Sequence, residues 1–277
     1  MSIELFTFIV WLVSLFAGLL GSLTGLGGGV VIVPVLTLFF HVDVRYAIGA
    51  SLMSVIATSC AAAGTFLKSG YSNVRIGVFL EVATTLGALV GAAIATRVPT
   101  GVVSVIFGLV LLFSAYRSFS ARPMRVLGPR RSRFSTVLRL DSSFTDQGQL
   151  TAYQVRRVPL GFSLMFLAGG LSGLLGIGSG AVKVLAMDQA MRIPFKVSSA
   201  TSNFMIGVTA GASAGVYLNR GYIDPGLCIP VVLGVLPAAV LGATLIKRLK
   251  SRPLQVSFAV VIAVLAVQMV VNGVREL

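Results

Sequence analysis

The 277-residue chain is 56% hydrophobic and only 11% charged, against about 25% charged residues in an ordinary soluble domain, which excludes a water-soluble fold. Its net charge of +14 comes without the aromatic-basic interleaving or groove-reading helix of a nucleic-acid binder, so it is assigned to membrane topology and lipid headgroups.

A membrane helix needs about 20 apolar residues at about 1.5 Å each. The first candidate runs from Leu5 to Leu26. Glu4 precedes it, with no basic n-region and no small-residue cleavage site, so it is expected to be a membrane helix and not a removable leader. Gly25-Leu26-Gly27-Gly28-Gly29 then leads into Val30 to Phe40, too short to span, since it would reach only about 15 to 17 Å as helix. Three longer stretches follow: Ala47 to Leu67, Ile76 to Thr96 and Val102 to Phe119.

Between Arg117 and Val158 the composition turns to Arg, Ser and Pro, with Arg130, Arg131, Arg133, Arg156 and Arg157 opposed only by Asp141 and Asp146. This reads as a solvated, topology-fixing cytoplasmic linker able to lie on anionic lipid. The apolar pattern resumes at Val158 to Leu175 and breaks again at Gly176-Ile177-Gly178-Ser179-Gly180. A second short stretch, Ala181 to Ala190, precedes Ser198 to Leu218, Leu227 to Ile246 and Leu254 to Val271.

The two halves repeat. One ungapped offset of 151 residues places Gly25, Gly27 and Gly29 on Gly176, Gly178 and Gly180, Ser51 on Ser202, and Thr58 on Thr209. The same offset places Gly70-Tyr71 on Gly221-Tyr222, Gly91 on Gly242, and Arg97 on Arg248. With the central loop inside and the short segments counted as crossings, Lys68, Arg75, Arg192, Lys196, Lys247, Arg248, Lys250 and Arg252 fall inside and Arg45, Arg97, Arg220 and Arg275 outside, eight against four. If the short segments only dip and return, the tally reverses, so the positive-inside rule favours crossings. Five crossings per half make the repeats inverted. The expected fold is an all-α membrane protein of two inverted repeats, 1–120 and 158–277, each with a short glycine-broken second segment, joined by an Arg-rich loop at 121–157.

Four sets of residues carry candidate chemistry. The glycine runs have neither the preceding strand nor the Lys-Ser/Thr pair of a nucleotide loop. In a membrane, consecutive glycines permit unwound backbone, which is tolerated only where it is buried in protein or lines a wet cavity. The helix starting there presents N–H groups and its positive dipole end to an anion. Gly27, Gly28 and Gly29, with Gly178, Ser179 and Gly180, are therefore the expected substrate cradle. The competing reading is close helix packing through small residues.

Lys183, within an apolar run, either contacts an anion or pairs with Asp188. Ser51 and the run Thr201-Ser202-Asn203 offer uncharged donors to an oxyanion, or else hydrogen-bond between helices. Glu81 and Asp188 either carry a coupling proton or sit at the interface paired with Arg75 or Arg192. His41, beside Asp43, reads as interfacial, and Cys60 and Cys228 as small buried residues without metal-ligand spacing. No metal or cofactor is expected. One histidine and scattered carboxylates do not supply the grouped acid, base and nucleophile of an embedded enzyme, so no catalytic role is expected either.

Gly25-Leu26-Gly27-Gly28-Gly29 with Pro34, Ala50-Ser51-Leu52, and the run from Met187 through Ile193-Pro194 and Ser199-Ala200-Thr201-Ser202-Asn203 to Gly207 resemble the TauE/SafE family of sulfite exporters. The likeness spans nearly the whole chain outside the Arg-rich loop. Ser179 departs from it where the family pattern has glycine, and Leu185 stands where the first half has Pro34. The resemblance implies a bacterial or archaeal inner-membrane carrier of sulfite or of organosulfonates such as sulfoacetate or taurine. The implied partners are the anion, lipids and, compatibly, further copies of the chain.

Overall fold

In the computed structural model the chain is almost entirely helical. The structure describes residues 2–24, 27–68, 72–119, 140–146, 149–178, 180–245 and 251–276. Among them the first half contains α1 (Ile3–Thr24), α2 (Gly29–Phe40), α3 (Val44–Lys68), α4 (Val74–Ala95) and α5 (Thr100–Phe119). The second contains α6 (Val158–Leu175), α7 (Gly180–Leu185), α8 (Phe195–Asn219), α9 (Pro225–Leu245) and α10 (Ser251–Arg275). The offset of 151 residues maps α1–α5 onto α6–α10 in order.

Five of these helices are long and apolar enough to cross a membrane: Ile3–Ser22, Val44–Ala61, Val74–Ala95, Val158–Leu175 and Pro225–Gly242. Shorter apolar helices cover Gly29–Phe40, Thr100–Tyr116 and Ala259–Arg275. Exposed Leu, Val and Phe side chains occur along most of them, including Phe8, Leu12, Val82, Leu86, Leu233 and Val264. Such a surface suits lipid and would be untenable in water.

The helices pack by exchange between halves. α4 lies on α6, α1 on α9, α5 on α10 and α3 on α8. Small residues set the approach: a Cβ on Gly91 would overlap the Gly170 carbonyl, and one on Gly173 would overlap that of Ala88, the close backbone contact that drives helix association where lipid removes the hydrophobic gain. The facing residues also give direction. Gly87 lies by Phe166 and Gly91 by Gly170, so α4 and α6 run parallel, as do α1 and α9, where Gly234 meets Trp11 and Gly242 meets Ser22. Gly101 faces Gly273 and Gly108 faces Ala266, so α5 and α10 run antiparallel. Between α3 and α8, Ser59 accepts a hydrogen bond from Gly207 N–H at 3.1 Å, while Tyr46 near the start of α3 meets Tyr222 just past the end of α8 edge-on, again antiparallel.

Two sequence expectations need correction. The central segment is not solvated throughout: Ser142–Asp146 and Gln149–Tyr153 form an antiparallel hairpin, β1–β2. Leu140, Tyr153 and Val155 are buried in a second core with Ile76, Leu80, Met187 and Ile193. The Arg-rich stretch around Arg130 to Arg133 lies outside the described residues. Cys60, expected to be buried, is exposed on α3, whereas Cys228 is buried.

Candidate functional site

The two glycine breaks meet. Gly27 (φ 78°), Gly176 (φ 66°) and Gly178 (φ 70°) adopt left-handed backbone, which side chains other than glycine rarely reach. A Cβ on Gly29 would overlap Ser51 Oγ and come within 2.9 Å of the Gly176 carbonyl, and one on Gly28 would come within 2.8 Å of Ser54 Oγ. Gly29 and Gly28 are thus required by close approach. Gly28 caps α2 through its own carbonyl, which accepts from Val31 and Ile32 N–H at 3.2 and 3.3 Å. Ser179, Gly25 and Leu26 lie outside the described residues.

The serines tie the breaks to the long helices. Ser51 Oγ donates to the Gly176 carbonyl at 2.6 Å, crossing from one half to the other. Its repeat counterpart Ser202 donates to the Gly180 carbonyl at 3.4 Å, within the second half. Thr201 and Asn203 have structural partners: Thr201 Oγ1 accepts from Asn73 N–H at 3.0 Å, and Asn203 Nδ2 donates to the Ser199 carbonyl at 3.1 Å. The Asn203 carbonyl also accepts from Ser59 Oγ at 2.5 Å.

Lys183 follows the second break by one helical turn, and its side chain is 0% exposed. Nζ donates to Thr209 Oγ1 at 2.5 Å, Thr209 Oγ1 donates to Glu81 Oε1 at 2.6 Å, and Nζ stands 4.0 Å from Glu81 Oε2. Thr85 Oγ1 also donates to Oε1, at 3.2 Å. Glu81 is 8% exposed, and its Oε2 is buried without a hydrogen-bond partner. The carboxylate close to Lys183 is therefore that of Glu81, from the other half, and not that of Asp188. Glu81 accordingly lies inside the bundle and not at an interface beside Arg75, which is exposed on α4.

Asp188 sits in a π-helical turn, Ala186–Ala190, that ends α7. Such turns often mark functional positions. His41 is exposed and closes α2 in a left-handed conformation at φ 53°.

Sequence reasoning missed Thr209 and Thr85 as members of this network. Thr209 was visible as the repeat counterpart of Thr58, and it follows Ser202 by two helical turns on the same face of α8. The repeat also hides an asymmetry. The positions matching Lys183 and Glu81 are Ile32 and Val232, and Thr58 Oγ1 donates only to its own helix, at the Ser54 carbonyl. The ionic network exists in one half-site alone among the described residues.

A family model described as "Sulfite exporter TauE/SafE" matches residues 10–269. The chain belongs to the TauE/SafE family. Its relatives are named as transporters. The "probable membrane transporter protein YunE" of Bacillus subtilis is 26% identical over 96% of this chain and 98% of its own length. Another Bacillus subtilis protein of that description, YdhB, is 25% identical over 85% of this chain and 88% of its own length, and one from Methanocaldococcus jannaschii is 21% identical over 93% of each. No solved structure matches the chain. As a TauE/SafE protein with these apolar helices, it is a multi-pass membrane transporter.

Proposed function

We propose that this TauE/SafE protein is a secondary carrier of small sulfur-containing anions, sulfite or organosulfonates such as sulfoacetate or taurine. The anion is held between the two glycine breaks and passed across the inner membrane by alternating access. The observation that carries this reading is the fully buried ammonium of Lys183 beside the second break, tied to the first half through Thr209 and Glu81. A buried cation in a membrane bundle is costly and marks an ion pathway. Its position where unwound backbone from both halves converges is where inverted-repeat carriers hold substrate.

Gly27, Gly28, Gly29, Gly178 and Gly180 form the cradle, with Ser51 and Ser202 as neutral donors and Lys183 as the charge. Thr201 and Asn203 hold its frame. The family description favours sulfite among the candidates.

Inversion of the repeats is supported by helix direction. α3–α8 and α5–α10 each join a helix to its own repeat counterpart, and both pairs run antiparallel. A two-fold axis along the membrane normal would make them parallel. The loop charges then favour a cytoplasmic central loop.

The test is a screen of purified protein on solid-supported membranes and by thermal shift, against sulfite, sulfate, thiosulfate, taurine, sulfoacetate and methanesulfonate. A saturable response to at least one sulfur anion is expected. No response to any of them would overturn the reading.

A further inference from the structure

We infer that Glu81, Thr209 and Lys183 form a proton site that couples one proton to each monoanion carried, so that transport is electroneutral. This rests on the anion-carrier reading above and adds the coupling ion to it. The geometry supplies a link: the ammonium donates to the threonine hydroxyl, and that hydroxyl donates to the carboxylate. Because Lys183 and Glu81 belong to different halves, any rocking of one half against the other acts directly on this contact.

Charge decides the coupling. With both groups ionised the site is neutral, which the membrane interior tolerates. A monoanion arriving alone would leave a buried net charge of −1. A proton arriving alone on the carboxylate would leave +1. Either state carries the desolvation penalty of an unpaired buried ion. Arriving together they restore neutrality: the proton binds Glu81 Oε2, which has no hydrogen-bond partner, and Lys183 turns its charge from Glu81 to the anion. Proton and anion therefore favour each other's binding, and by linkage the effect is reciprocal.

The surroundings provide little competing titration. α6, packed along α4, has no ionisable side chain. α8 has Lys196 at its start and Tyr217 near its far end, and the turn after α7 has Asp188. On α4 itself, Arg75 lies nearly two turns before Glu81 and is exposed.

The probe is methanesulfonate, whose charge stays at −1 from pH 6 to 8, in proteoliposomes of the full chain. The wild-type protein should bind it more tightly as pH falls, up to about tenfold per pH unit for one linked proton. An imposed inward proton gradient should drive its uptake with no net current. Glu81→Gln imitates the protonated carboxyl, so its anion affinity at pH 8 should exceed the wild type's and its counterflow should lose pH dependence. Wild-type net uptake that carries current, or counterflow that ignores pH, would overturn the coupling alone, whatever the variant does. Wild-type protein that neither binds nor exchanges methanesulfonate or sulfite would overturn the anion reading beneath it.

Discussion

Lys183 is the residue on which the most depends, because its ammonium has a single hydrogen bond among the described residues and a single carboxylate near it. Replacing it with Met should abolish anion uptake and, by stranding the Glu81 carboxylate, destabilise the protein by about 3–5 kcal/mol. Adding Glu81→Gln should recover most of that stability without recovering uptake. Thermal unfolding in detergent, measured beside uptake in proteoliposomes, separates the two effects. Thr209 is a finer probe. Thr209→Ser keeps the bridging hydroxyl and should transport nearly as wild type. Thr209→Val removes a hydrogen bond to two ionised groups, a loss of about 1.5–3 kcal/mol, and should slow uptake by roughly ten- to a hundredfold. Equal uptake by the two variants would show that the hydroxyl has no part in transport.

At the scale of elements, the α4–α6 contact is closest where glycines meet backbone, with Phe79 packed on Phe162 towards one end. Gly91→Leu pushes a side chain into the backbone of α6 at Gly170, and overpacking of this kind costs about 1–3 kcal/mol. The same change at Gly64, whose Cβ would meet nothing within 4 Å, should leave the melting temperature almost unaltered. The β1–β2 hairpin is held differently. Asn73 Nδ2 donates to the Tyr153 hydroxyl at 2.7 Å, and Asp141 Oδ1 accepts from Val155 N–H at 2.9 Å. Burial pushes the Tyr153 hydroxyl above its ordinary pKa of 10.0, with the Asn73 hydrogen bond opposing. The docked hairpin therefore favours the neutral phenol. Its docking is fully present below the ordinary value and weakens as pH rises above it. The protection factors for hydrogen exchange at residues 72–76 and 152–156, which allow for the base-catalysed intrinsic rate, should fall above about pH 10 in the wild type but not in Tyr153→Phe. Loss of the Asn73 bond should make the variant exchange somewhat faster at every pH.

For the whole molecule, the decisive quantity is the number of crossings per half. With a cytoplasmic central loop, inverted halves put both termini outside, so a reporter fused after Leu277 should be active only outside the cytoplasm. A cytoplasmic C-terminus would reject inverted halves about a cytoplasmic loop, and with them the placement of Arg45 outside. That end of the bundle has its own clasp: Arg45 Nη2 donates to the Val98 carbonyl at 2.9 Å while the guanidinium lies 5.7 Å from the Tyr222 ring centre. At the other end of α4, Asn73 joins Thr201 to the hairpin.

The membrane class, the two halves and the two broken segments are legible in the order of residues. Hydropathy over about 20 residues, a constant offset and clustered glycines are local signals that survive without knowledge of packing. That order also marks Lys183, Glu81, Ser51 and Ser202, since a charge or hydroxyl in an apolar run stands out against lipid. Their partners are set by packing. Lys183 lies five residues from Asp188 and 102 from Glu81 along the chain, yet its ion pair is with Glu81, because α4 and α8 pack together and Thr209 fills the gap between them. The burial of Tyr153 was equally hidden: its stretch reads as solvated loop, and only the return of the hairpin onto the start of α4 gives it a core to enter.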